Sequence, residues 1–217
     1  AYMGTRAGTA PGAAVTIGAT NAEAKIEAVS HSDALVTAEG GALSLGIAIA
    51  GFLGEGTING STLAYVGEGV ILNAGELDIS VDATDNADVD TIAVGLGTIS
   101  GQGAKATASI SSTTEAFTGA RGGATPAADP TTTINLTAPL TNLNADGTLV
   151  IGALSNQTAF ADAKGGGLAL LEVAAMLPEA TAGGVVRAYV GSGTDLNAVS
   201  LSITADEIGR ASCRERV

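Results

Sequence analysis

Tryptophan is missing from this 217-residue chain and aromatics make up only 3% of it, so large rings cannot dominate a core. The only cysteine, Cys213, lies in the last ten residues, so the rest of the chain has neither a disulfide frame nor a thiolate metal site. The only histidine, His31, cannot form a typical zinc site without cysteine partners and is expected to be exposed and inert. Basic residues are also scarce, 9 against 22 acidic ones, for a net charge of −13. A surface this acidic repels phosphate backbones and anionic lipid, which argues against nucleic acid as a partner. It suits a soluble extracellular protein in salty water, where screened charge keeps chains dispersed. Serine nucleophile elbows, phosphate loops and dinucleotide fingerprints are lacking. Gly95-Leu96-Gly97 has no third glycine at the needed offset and reads as packing.

What the chain does have is glycine, 31 residues of it, and an internal repeat. Ala64-Tyr65-Val66-Gly67 returns as Ala116-Phe117-Thr118-Gly119 and as Ala188-Tyr189-Val190-Gly191. The downstream partners are Leu72-Asn73-Ala74, Leu143-Asn144-Ala145 and Leu196-Asn197-Ala198, each followed by an alternating strand. The copies begin at 64, 116 and 188, so they are 52 and 72 residues apart. In the middle copy Gly119 to Leu143 spans 24 residues where the outer copies span 5, an excess of 19, and one more residue enters before Leu149. Since 72 − 19 − 1 = 52, the unit is 52 residues long, with a loop inserted at about 120–142. Pro126, Pro130, Pro139 and the run Thr131-Thr132-Thr133 mark that loop as a surface excursion. A repeated unit buries its apolar face by stacking on its own copies, and narrow layers of Ala, Val, Ile and Leu need few large residues. The 52-residue unit reads as two coils of roughly 20–26 residues, giving about eight coils and a rod on the order of 40 Å long at ~4.8 Å per coil.

The strands show period-two alternation. Leu77, Ile79 and Val81 alternate with Asp78, Ser80 and Asp82, as do Leu149, Ile151 and Ala153, and Leu201, Ile203 and Ala205. Val15 and Ile17 look like the end of an earlier copy. The glycine-punctuated runs 41–49 and 92–96 read as strands buried on both faces. Leu168 to Leu177 could pass for a helix, but its matched neighbours favour strand. Residues 208–217 break with everything before them and hold three of the nine basic residues. Their back-translation resembles sequencing-adapter read-through, so they are read as an artefactual tail outside the fold. Residue 1 is alanine, and no charged start followed by an apolar core occurs in the first thirty residues. The chain is therefore expected to be an internal fragment of a longer protein.

Few residues invite chemistry. Asp82, Asp85, Asp88 and Asp90 fall within nine residues and could hold calcium through oxygen ligands, but the segment lacks the pattern of known calcium loops and reads as a solvated acidic turn. Asn59-Gly60-Ser61, Asn135-Leu136-Thr137 and Asn156-Gln157-Thr158 match glycosylation acceptors by chance. Asn73, Asn144 and Asn197 share one repeat position, where asparagine suits a turn. Tyr65, Phe117 and Tyr189 also share one, and read as internal or corner packing ahead of a ligand-stacking stripe. No catalytic, cofactor-binding or metal-ligating residue is assigned.

The repeated Ala-Tyr-Val-Gly, Leu-Asn-Ala and Leu-x-Ile-x-Ala blocks resemble the stacked repeats of bacterial filamentous-haemagglutinin-like and leukotoxin-type adhesins, over roughly residues 13–207. The resemblance implies an all-β, right-handed parallel β-helix (a β-solenoid), one domain over 1–207, exported to the bacterial cell surface or beyond. It implies a non-enzymatic stalk for adhesion or biofilm contact, with a host or neighbouring-cell surface or glycan as partner and no direct membrane insertion. The alternatives are a polysaccharide-degrading β-helix enzyme and a calcium- or ice-binding solenoid. The first needs a carboxylate or metal cluster near a basic residue, and the second needs regular acidic or threonine ladders.

Overall fold

The computed structural model describes residues 1–4, 6, 15–122, 131–137 and 146–216, with the backbone alone at 19–21. Among them there is no helix. The strands are β1 (Tyr2–Met3), β2 (Val15–Leu43), β3 (Ile47–Ile58), β4 (Ser61–Val66), β5 (Val70–Leu96) and β6 (Ile99–Thr118). They continue with β7 (Thr132–Leu136), β8 (Thr148–Leu168), β9 (Leu171–Val190), β10 (Thr194–Asn197) and β11 (Ser200–Arg216). Every pairing is parallel. One sheet holds β1, β3, β4, β6 and β9, and the other holds β2, β5, β7, β8, β10 and β11. The chain runs out along the second sheet, turns, and comes back along the first.

The register corrects the length of the coil. Ile47 pairs with Ile99, Ser61 with Thr113 and Leu149 with Leu201, each a step of 52 residues to the adjacent hydrogen-bonded strand. One repeat is therefore one level of each sheet, and the reading of two coils per repeat fails. Strands of 27 and 20 residues, β5 and β6, fill a level between them. Their contour, about 90 Å for β5 at ~3.3 Å per residue, far exceeds the stack of about four levels at ~4.8 Å. Short solenoid coils were the wrong template because long runs of Ala and Gly carry no visible alternation to measure strand length by.

The inserted segment is also corrected. Asn73 pairs with Asn135, and Asn135 with Asn197. Ile134-Asn135-Leu136 in β7 thus fills the place assigned to Leu143-Asn144-Ala145, which lies outside the described residues. Gly119 to Ile134 spans 15 residues against 5 for Gly67 to Leu72, and Leu136 to Leu149 spans 13 against 3 for Ala74 to Leu77. The insertion is two excursions of ten residues flanking a ladder strand, not one loop at 120–142. The threonine run hid this strand: Thr132, Ile134 and Leu136 alternate inward and are buried.

Two further expectations meet the structure at β9 and β11. Residues 171–177 are strand. The C-terminal residues set apart by composition continue β11 in register, Ile208 opposite Asn156 through Arg216 opposite Lys164. Their side chains are exposed, so ladder hydrogen bonds rather than burial hold them there.

The two sheets face each other across an interior with two apolar parts. Leu72, Leu77, Ile79, Ile134, Leu149 and Ile151 fill one end. Ala87, Ala93, Ala106, Ala159, Ala161 and Ala163 dominate the other. At the alanine end a large side chain in one sheet meets a small one in the other. Gly40, Ala93 and Gly165 stack in one sheet, and Phe52, Ala104 and Met176 stack opposite. A Cβ on Gly40 would strike the Phe52 ring, and one on Gly165 would strike Met176 Cε. Between the two apolar parts runs a polar seam. Ser112 Oγ donates to Asp85 Oδ2 (2.5 Å), and Gln157 Nε2 donates to Ser112 Oγ and Ser155 Oγ (both 3.1 Å). One level away Ser30 and Thr62 hydroxyls bond at 2.7 Å.

Candidate functional site

The recurrent aromatics form a ladder. Ala64, Ala116 and their neighbours face inward, so Tyr65, Phe117 and Tyr189 project from the outer face of the first sheet. Tyr2, Tyr65, Phe117 and Tyr189 stack with centroids 5.3, 4.7 and 5.3 Å apart and rings within 9° of parallel. The ladder is covered: Tyr65 and Phe117 are 4% and 1% exposed. Part of the cover is the root of the insertion. Gly119 takes a left-handed turn (φ 72°), and Gly122 N donates to the Tyr189 hydroxyl at 2.8 Å. Burial raises the Tyr189 pKa, so its hydroxyl stays protonated at neutral pH.

Beside the rings lies the column Leu63, Glu115, Arg187. The Glu115 carboxylate is buried and takes Arg121 Nε on Oε2 (2.5 Å) and Arg187 Nη1 on Oε1 (3.1 Å). Two guanidinium groups compensate its charge, so Glu115 is an anchor for the insertion root and not a free base. The expectation of packing for Tyr65, Phe117 and Tyr189 therefore fits, as an external ladder under a cover. The asparagine expectation does not: Asn73, Asn135 and Asn197 sit in strands, where Asn135 Nδ2 donates to Asn73 Oδ1 at 3.1 Å. Side-chain amides one level apart can bond along the stack, a reason for recurrence that needs no turn.

The acidic segment is strand too, not a turn. In β5, Asp82, Asp88 and Asp90 point outward while Asp85 points into the seam. An extended strand spreads them at ~3.3 Å per residue, too far to converge on one cation. Among the described residues no three His, Cys, Asp or Glu side chains come together for a metal. His31 is exposed and bonds Asp33 Oδ2 at 2.9 Å.

Asp90 instead finds partners on the next level. It pairs with Asp162, and Lys164 Nζ reaches Asp90 Oδ2 at 2.6 Å and Asp162 Oδ2 at 3.2 Å. The hydrogen bond from Asp90 raises the Lys164 pKa, which keeps that amine charged. Asp90 Oδ1 and Asp162 Oδ1 are buried without a hydrogen-bond partner. Sequence reading passed over Glu115, Arg187, Asp162 and Lys164. Counting two residues back from each ring gives the first pair, and applying the 72-residue step to Asp90 gives Asp162.

The outer face of the first sheet carries one more feature at the alanine end. Ile47, Ile49, Leu53, Leu171, Val173 and Leu177 are all more than half exposed. Between Ile49 and Leu53 the column Gly51, Gly103, Ala175 forms the floor of a trough of about 450 Å³. An open apolar strip of this kind marks a contact surface more often than a catalytic one. Comparison with known proteins finds no family model, curated protein or solved structure that matches this chain.

Proposed function

We propose that the chain is a segment of a right-handed parallel β-helix that serves as a surface-exposed or secreted stalk in adhesion or biofilm contact. The observation that carries this reading is the in-register stacking of like on like. Leu77, Leu149 and Leu201 share a column, as do Ile79, Ile151 and Ile203. Such a ladder does one mechanical thing well: it extends, because each added repeat contributes one more level. Right-handedness follows the hand that parallel crossovers take in nearly all sheets. The apolar strip around Ile49 and Val173 is the face this reading assigns to a host or neighbouring-cell surface or glycan. Beads coated with the protein should be retained on cell monolayers or biofilm, and Ile49→Lys with Val173→Lys should lower retention. Retention no better than that of albumin-coated beads would sink the reading.

The alternative, polysaccharide cleavage, has one observation in its favour. Asp90 and Asp162 lie one level apart, ~4.8 Å, a spacing near that of the carboxyl pair in retaining glycosidases. Lys164 occupies both carboxylates, which works against it. Release of reducing ends that Asp162→Asn abolishes would put the enzyme ahead of the stalk.

A further inference from the structure

Among the described residues β2 pairs only with β5 and β11 only with β8, so each leaves one edge of backbone N–H and C=O groups unpaired. The two open edges match. Continuing the ladder one step past β11 brings Leu201 onto the column that begins at Ala24, Ile203 onto Ile26 and Ala205 onto Ala28. On the outer face Arg210 would meet Asp33, and Arg216 would meet Glu39. Asp206 would meet Val29 and Glu207 would meet Ser30, and no like charges fall opposite each other from Leu201 to Arg216.

We propose that these edges join copies of the chain head to tail, β11 of one copy adding in parallel to β2 of the next. The area is sufficient. Seventeen residues of β11 at ~3.3 Å give an end face about 55 Å long, and two sheets ~10 Å apart make it about 20 Å across. Roughly 1,100 Å² from each copy reaches the range of stable protein interfaces. The contact joins two different surfaces, so it does not close on itself and growth is open-ended.

The first sheet adds Leu171 over Ile47, Val173 over Ile49 and Leu177 over Leu53, with one like pair, Glu179 over Glu55. Tyr2 and Met3 of the incoming copy stand where Tyr189 and Val190 of the first would sit. The two residues of β1 must give way, a small loss against the ladder gained. The inference rests on pairing register and charge, and is independent of the adhesion reading.

Sedimentation velocity across protein concentration at low salt, with negative-stain microscopy, tests it. The full chain should grow with concentration into unbranched filaments, and added salt should shorten them. Arg210→Glu with Arg216→Glu should raise the concentration for assembly about tenfold, as should Asp33→Arg with Glu39→Arg. All four together should restore it. These side chains are exposed, and circular dichroism of each variant checks that the sheet signal is kept. A monomer at the highest soluble concentration, a closed dimer, or assembly indifferent to the charge reversals would overturn the proposal.

Discussion

The two ends of the interior use opposite means to the same ladder. One is filled by Leu, Ile and Val side chains, the other by alanines with glycine placed against each large residue. The turns explain the difference. At the alanine end the chain passes from sheet to sheet through Ser44-Leu45-Gly46, Gly97-Thr98 and Ala169-Leu170. Two or three residues hold facing strands close together there, which leaves room only for small side chains. At the other end Gly67-Glu68-Gly69 and Gly191-Ser192-Gly193 make wider corners, with Gly69 and Gly193 at φ 78° and 75°. The lesson is that turn length sets the thickness of each end, and composition follows thickness.

Substitutions can break that contrast. The largest effect belongs to the broad end: Leu149→Ala empties space that backbone ladders cannot close, at about 2–5 kcal/mol by denaturant titration. The alanine end should fail in the reverse way, by overfilling. Gly165→Ala drives a methyl into Met176 and should cost about 1–3 kcal/mol, while Gly165→Ala with Met176→Ala should recover much of it. Failure of the second change to rescue the first would mean the two sheets are not in contact there. Ser112→Ala removes the hydroxyl shared by Asp85 and Gln157 in the seam, at about 1–2 kcal/mol.

The smallest effect is electrostatic and lies on the outside of the broad end. Burial, partly offset by Lys25, raises the Asp78 pKa, and burial raises that of Glu76. A carboxyl whose folded pKa lies above its unfolded one binds its proton more tightly in the fold. Ionisation above the folded pKa therefore costs stability, and that cost is relieved as pH falls through it. Asp78→Asn with Glu76→Gln should raise the melting temperature slightly at pH 7, by under about 1 kcal/mol equivalent, and the gain should vanish below roughly pH 4. A gain that persisted in acid would assign it to packing instead.

Strand and period were legible because Leu77, Ile79 and Val81 alternate and the Ala-Tyr-Val-Gly block recurs. The 52-residue period alone did not say how many levels it spans, since that depends on strand length. In Ala87–Ala93 or Ala104–Ala108 an alanine suits either face, so the strand showed no obvious end. β7 was hidden for a related reason: three threonines look like a loop until a ladder gives Thr132 an inward place, its hydroxyl bonded to the Gly67 carbonyl. The aromatic ladder was legible as recurrence, and its partner Glu115 was not, because Leu63, Glu115 and Arg187 share a column without sharing chemistry.

The central claim is that one repeat equals one level, and cysteine pairs test it directly. Asp78, Val150 and Ser202 occupy successive strands of one outer-face column. With Cys213→Ser as background, Val150→Cys with Ser202→Cys places the two Cα atoms ~4.8 Å apart, within disulfide reach. Asp78→Cys with Ser202→Cys places them ~9.6 Å apart, beyond it. Mild oxidation of the monomer should close the first pair within the chain and leave the second open. An open 150–202 pair, or a closed 78–202 pair, would contradict the account.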